Sequence, residues 1–104
     1  MLLAGDKLTA LEDRFRQHTS RLFRKHGMLD LAYWTPVEGP LQGRTLIYLL
    51  QHQSRDAAKK SWKAFAEDPE WIAVKTASEA NGKLVESIDS TYMAATEFSP
   101  QRLG

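Results

Sequence analysis

The run Thr-Leu-Ile-Tyr-Leu-Leu, residues 45–50, decides the fold class of this sequence. β-Branched, aromatic and aliphatic residues of this kind favour an extended strand. Side chains of a strand alternate between its two faces, and here both alternating sets are apolar. One set is Leu46, Tyr48 and Leu50, and the other is Ile47 and Leu49. The pattern therefore predicts a strand over 44–52 that is covered on both faces.

A second strand is predicted just upstream, over 28–35, and Pro36 closes it. It also carries apolar side chains on both faces, with Leu29, Leu31 and Tyr33 on one face and Ala32 and Trp34 on the other. Residues 37–43 contain a Gly-Pro pair and a second glycine, which indicates a loop. A connection this short predicts that the two strands pair antiparallel.

Helices flank this pair of strands. Apolar residues at three- and four-residue spacing predict a helix over 6–25, with Asp6 as its N-cap and Gly27 as its stop. Ser54 is the predicted N-cap of a helix over 55–67, and Pro69 begins another helix that ends at 81–82. The predicted inward residues are Ala57, Ala58, Trp62, Phe65 and Ala66 on one helix and Trp71, Val74 and Ala77 on the next. A last strand over 84–95 and a tail over 97–104 complete the chain.

This order predicts a single α+β domain over 1–104, with an antiparallel sheet and helices on one of its faces. The strands are apolar on both faces, and the helices can cover only one. A chain of this length has no further element for the other face. We therefore predict a homodimer that packs sheet against sheet.

Composition excludes several classes of protein. The chain has no cysteine, which excludes disulfides, thiolate zinc sites and a cysteine nucleophile. Fourteen basic against thirteen acidic residues leave a net charge of +1, without the basic footprint of a nucleic-acid-binding protein. The longest apolar run, 46–50, is far short of the ~20 residues of a membrane span, and the amino terminus turns polar too soon for a signal peptide. A cytoplasmic protein is expected.

Aromatic and basic residues supply the candidates for a site. His26 ends the first helix beside a glycine turn, where it suits a general base or an anion site, or equally a cap of the helix end. His18 and His52 do not share a metal-ligand spacing with it, so neither a metal nor another cofactor is expected. If their polar edges converge, the aromatic side chains would line a pocket for a small apolar or aromatic ligand; otherwise they form core. The predicted ligand-binding set is Arg14, His26, Tyr33, Trp34 and Tyr48, with His26 and Tyr48 as the catalytic candidates.

Several segments resemble the NIPSNAP family, and together they cover nearly the whole chain. The two most specific are Lys-His-Gly-Met at 25–28 and Asp-Pro-Glu-Trp at 68–71. The others are 14–16, 18–19, 22–23, 33–36, 46–50, 61–62, Phe65, 89–90 and 98–100. The resemblance implies a ferredoxin-like βαββαβ unit whose subunits pair into a dimeric α/β barrel. Such domains begin with a strand ahead of the first helix, and here only residues 1–4 precede it, so we expect a shortened first strand.

Two functions follow as hypotheses. The first is a dimeric module that binds a small ligand or another protein without catalysis. The second is a small-molecule enzyme, because the barrel group that the resemblance implies includes cofactor-independent monooxygenases, isomerase-like enzymes and haem-using relatives. An enclosed cavity with His26 or a tyrosine hydroxyl pointing into it would favour the enzyme.

Overall fold

The computed structural model describes residues 1–100. Its four strands form one sheet in the order β2-β3-β1-β4, and every neighbouring pair is antiparallel. This α+β arrangement is compatible with a ferredoxin-like fold. The elements are β1 (Leu2–Leu3), a 3₁₀ turn (Gly5–Lys7), α1 (Leu8–Arg14), a π-helical segment (Phe15–Thr19), α2 (Ser20–Lys25), β2 (Leu29–Trp34), β3 (Thr45–Gln51), α3 (Arg55–Glu67), α4 (Pro69–Ser78) and β4 (Ser87–Ile88).

The predicted first helix is one helical stretch built of four sections. Asp6 lies inside the 3₁₀ turn, which has no side-chain cap, so the prediction that Asp6 caps the helix is wrong. In the π-helical segment the Thr19 hydroxyl donates to the Arg14 carbonyl oxygen at 3.3 Å. The stop at Gly27 is confirmed by its φ of +78°, which favours glycine. The Gly27 and Met28 amides donate to the Arg24 and Phe23 carbonyls, the pattern of a Schellman motif.

A β-bulge sets which residues of β2 face the helices. Asp30 pairs with Leu50 and Ala32 with Leu49, so one extra residue lies between them. The bulge places Tyr33 on the same face as Asp30, where its ring contacts Phe15 of the helical layer at 5.6 Å. The predicted grouping of Tyr33 with Leu29 and Leu31 is therefore wrong. Leu29 and Leu31 belong instead with Ala32 and Trp34, on the face away from the helices.

The expected short first strand is present, and it lies centrally in the sheet. Each of its two residues has a partner on both sides: Leu2 pairs with Leu46 and Ile88, and Leu3 pairs with Thr45 and Ser87. The predicted last strand over 84–95 is too long, because only Ser87–Ile88 forms a strand. Past Ile88, Asp89 still exchanges two backbone hydrogen bonds with Met1, and residues 90–95 belong to no strand. The predicted tail reaches past residue 100 and lies partly outside the described residues.

The core lies between one face of the sheet and the helices, and aromatic rings form its centre. Phe23 is 1% exposed and its ring lies 5.0–5.8 Å from the rings of Phe15, Tyr48, Trp62 and Phe65. Trp62 and Trp71 pack against this core, as predicted. The prediction that Ala66 and Ala77 face inward is wrong, since both are exposed. α3 touches the core along a narrow stripe, and α4 lies at the periphery with none of its residues fully buried.

Candidate functional site

The five predicted site residues lie in separate parts of the molecule. His26 lies at the end of α2 beside the junction of α3 and α4, and Arg14 ends α1 and contacts Ser78 at the end of α4. Tyr33 and Tyr48 are on the helix-facing side of the sheet, with their rings 5.7 Å apart. Trp34 is on the opposite side of the sheet and is 52% exposed. The fold brings together the two tyrosines alone.

His26 belongs to a cluster around Asp68, which is buried at the junction of α3 and α4. Asp68 Oδ2 lies 2.7 Å from His26 Nε2 and 2.8 Å from Lys25 Nζ, and Oδ1 accepts the backbone N–H of Glu70 at 2.8 Å. Hydrogen bonds from Lys25, His26 and the Glu70 backbone hold the pKa of Asp68 well below its usual range. The carboxylate thus caps α4 and fastens the end of α2 to it. Sequence analysis named Asp68 only as part of the Asp-Pro-Glu-Trp segment and missed this role.

We expect Asp68→Ala to lower the melting temperature more than Ser54→Ala does. Ser54 caps α3 by accepting one hydrogen bond from the Ala57 amide, and loss of such a cap typically costs about 1 kcal/mol. Asp68 makes a capping bond of the same kind and also contacts two side chains, those of Lys25 and His26. Its folded pKa is below the unfolded value of about 3.9, so its contribution is present above that pH and is lost on acidification. Thermal unfolding between pH 7 and pH 3 measures both effects. If Asp68→Ala and Ser54→Ala lowered the melting temperature equally and with the same dependence on pH, the role assigned to Asp68 would be contradicted.

Arg14 is held by contacts with α4. Its guanidinium donates to Ser78 Oγ at 3.1 Å and to Glu79 Oε2 at 3.4 Å, and it lies 5.1 Å from the centre of the Trp71 ring. Burial lowers the pKa of Arg14, and the hydrogen bond and charge of Glu79 act in the opposite direction. These contacts hold α1 against α4. The Nε atom of Arg14 is buried and has no hydrogen-bond partner among the described residues.

A second buried carboxylate, Asp30, was not singled out by sequence analysis. It accepts hydrogen bonds from the hydroxyl of Ser20, from Arg24 Nε at 2.6 Å and from the Tyr33 hydroxyl at 2.7 Å. Burial acts to raise its pKa, and these three hydrogen bonds outweigh burial and lower it. Burial raises the pKa of Tyr33, and so does the hydrogen bond that its hydroxyl donates to Asp30. A charged residue within an otherwise apolar strand was the available signal, because a buried charge requires partners.

Tyr48 borders the one cleft that we consider as a site. The cleft has a volume of about 740 Å³ and lies beside the second half of β3. Burial raises the pKa of Tyr48 to about 12, so its hydroxyl is protonated at neutral pH. The residues that line the cleft include Leu31, residues 48–52, Ser54, Arg55, Trp62 and residues 89–95. This cleft combines apolar walls with hydrogen-bond groups, although the other four predicted site residues do not line it.

Two kinds of site have no support in the described part of the chain. Within residues 1–100 no group of three or more histidine, aspartate and glutamate side chains is placed to hold a metal ion. Over the same residues, no helix is both long enough and apolar enough to cross a membrane.

Comparison with known proteins gives one match. The family model described as NIPSNAP matches residues 3–100, which is nearly the whole chain. The chain belongs to the NIPSNAP family. No curated protein and no solved structure matches it. The match confirms the resemblance found in the Lys-His-Gly-Met and Asp-Pro-Glu-Trp segments, and in this NIPSNAP-family chain those two segments meet in space through the bond between His26 and Asp68.

Proposed function

We propose that this NIPSNAP-family chain is a homodimeric protein-interaction module that pairs through the outer face of its sheet. We call the face opposite the helices the outer face. Trp34 and Leu29 on this face are 52% and 44% exposed, and this exposure carries the proposal. Its other apolar members, all half-buried, are Leu31, Ala32, Ile47 and Leu49. A contiguous apolar patch with an exposed tryptophan is typical of an interface.

A second copy is the partner that fits this face best. The outer face carries apolar side chains from both β2 and β3, so two copies related by a two-fold axis would cover each other's patch with the same residues. Sheets pack in this way about 10 Å apart, with side chains from the two inner faces interdigitating. The arrangement agrees with the dimeric α/β barrel that the family resemblance implies. A small chain also gains the buried apolar area that its own core lacks.

We expect the chain to sediment at about twice its 11.8 kDa mass, and Trp34→Glu to sediment as a folded monomer. A tryptophan at the centre of an interface contributes about 2 kcal/mol or more, so the dimer constant should weaken about 30-fold or more. The matched control is Thr9→Glu, at an exposed position of α1, which should remain a dimer. A wild-type chain that stays monomeric and folded at micromolar concentration would refute the proposal.

The catalytic alternative has less support from the geometry. The ring of His26 and the hydroxyl of Tyr33 already bond to the carboxylates of Asp68 and Asp30. Of the two catalytic candidates, Tyr48 alone borders the cleft. With its pKa raised to about 12 by burial, its hydroxyl is a hydrogen-bond donor and a poor general base at neutral pH. Such a group suits binding better than proton abstraction.

A further inference from the structure

The positive charge of this chain is concentrated in α3. That helix contains four basic and two acidic residues, whereas the rest of the chain contains ten basic and eleven acidic residues. α3 therefore has a net charge of +2, and the rest of the chain has a net charge of −1. The basic residues of α3 are all exposed, and we call them the cationic face: Arg55, Lys59, Lys60 and Lys63. A single helix thus gives the whole chain its positive sign.

No carboxylate neutralises the cationic face. In the first helical stretch, every arginine and lysine from residue 8 to residue 26 has a carboxylate oxygen 2.6–3.4 Å from one of its nitrogens. Within residues 1–100, no carboxylate oxygen lies within 4.0 Å of a side-chain nitrogen of the cationic face. The Arg55 guanidinium lies 4.7 Å from the centre of the Tyr92 ring, a contact that leaves its charge in place. The cationic face therefore has charge available for a partner.

The positions of the four cations act against the stability of α3. Arg55, Lys59 and Lys63 follow one another at four-residue spacing, and Lys60 lies three residues before Lys63. Side chains at these spacings are neighbours on a helix, where like charges repel and opposite charges attract. Residues that break a local rule of this kind without a gain in stability are expected at functional sites.

The surroundings of the cationic face favour a short acidic peptide over a membrane or a nucleic acid. A helix that lies on a membrane inserts its apolar side, but the apolar side of α3, with Ala58 and Phe65, is buried in the core. Asp56 and Glu67 are exposed near the two ends of α3 and would repel a row of phosphates that continued past the four cations. The anionic group that fits is therefore short, about as long as the 12 Å between residues 55 and 63 of a helix.

We propose that the cationic face is a docking site for an acidic, extended segment of another protein. Arg55, Lys59 and Lys63 are spaced about 6 Å apart along the helix axis, and alternate residues of an extended chain are about 7 Å apart. Acidic residues at every second position would therefore place one carboxylate near each of these cations. Phe65 packs α3 against Phe23 on the helix side of the sheet, so the site lies away from the outer face and does not depend on dimerisation.

The test is an NMR titration of the labelled chain with the peptide Gly-Glu-Gly-Glu-Gly-Glu-Gly, blocked at both ends, and with the same peptide carrying glutamine in place of glutamate. At about 0.01 M salt, the glutamate peptide should produce saturable shifts centred on the amides of residues 55–63. We expect a dissociation constant in the millimolar range, because exposed ion pairs are individually weak. The glutamine peptide should bind at least about fivefold more weakly, and about 0.1 M salt should weaken binding of the glutamate peptide by a similar factor.

Two charge reversals decide where the peptide binds. Lys63→Glu removes one cation of the face and should weaken binding about fivefold or more. Its melting temperature should not fall, because the substitution also removes the repulsion with Lys59 and Lys60. Lys83→Glu makes the same change of net charge at an exposed lysine outside α3 that has no ion pair within residues 1–100. This control should bind within about twofold of wild type.

Several results would overturn the proposal. The first is the absence of saturable shifts, and the second is equal binding of the glutamate and glutamine peptides. Equal losses in Lys63→Glu and Lys83→Glu would show that the peptide responds only to net charge. The same titration with vesicles of phosphatidylserine and phosphatidylcholine, and with a short DNA duplex, tests the other anionic partners. Tighter binding of either than of the peptide, lost in Lys63→Glu, would assign the cationic face to a membrane or a nucleic acid instead.

Discussion

Phe23→Ala is expected to remove about 3–5 kcal/mol from the free energy of unfolding, the largest effect of any single side chain considered. Phe23 is 1% exposed, and its ring contacts four other aromatic rings from α3, β3 and the π-helical segment. Its removal leaves a cavity between the sheet and the helices. Because domains of this size are stable by only about 5–15 kcal/mol, the variant should unfold at far lower urea concentration.

The control for Phe23 is the same substitution at an exposed phenylalanine. Phe98 is 78% exposed, so Phe98→Ala should change the free energy of unfolding by less than about 0.5 kcal/mol. Urea unfolding followed by tryptophan fluorescence measures both variants. A loss below about 1 kcal/mol for Phe23→Ala would mean that the aromatic cluster is not the centre of the core.

Asp30→Ala is expected to cost about 2–3 kcal/mol, the second largest effect. It leaves the hydroxyls of Ser20 and Tyr33 without their acceptor in a partly buried setting and breaks the ion pair with Arg24. Loss of one member of a buried ion pair usually costs about 3–5 kcal/mol. The lower figure applies here because the Arg24 side chain is 61% exposed and can be hydrated.

The pH dependence separates this role from a simple packing effect. The folded pKa of Asp30 is lowered, so its contribution is present above the unfolded value of about 3.9 and is lost as the pH falls. The difference between wild type and Asp30→Ala should therefore shrink on acidification below about pH 4. The control is Asp13→Ala, which removes an exposed ion pair with Arg16 and should cost at most about 1 kcal/mol. A pH-independent difference for Asp30 would contradict the assignment.

Local patterns in the sequence determined the elements and their order. Gly27 ends the first helix, Ser54 caps α3 and Pro69 begins α4, as predicted, because each signal acts through the backbone within one helical turn. The two-sided apolar pattern of 45–50 correctly predicted β3. One local signal failed. Asp6 was expected to cap the first helix, but it lies inside a 3₁₀ turn that has no side-chain cap.

The tertiary structure alone decided which polar groups meet. The spacing of residues in the sequence does not predict that Asp68 lies 2.7 Å from His26, forty-two residues away. Nor does it predict the bulge that turns Tyr33 toward Asp30. The short strand β4 likewise depends on pairing with β1, a segment far from it along the chain. Secondary structure follows from near neighbours along the chain, whereas a site depends on contacts between distant segments, which only packing of the whole chain defines.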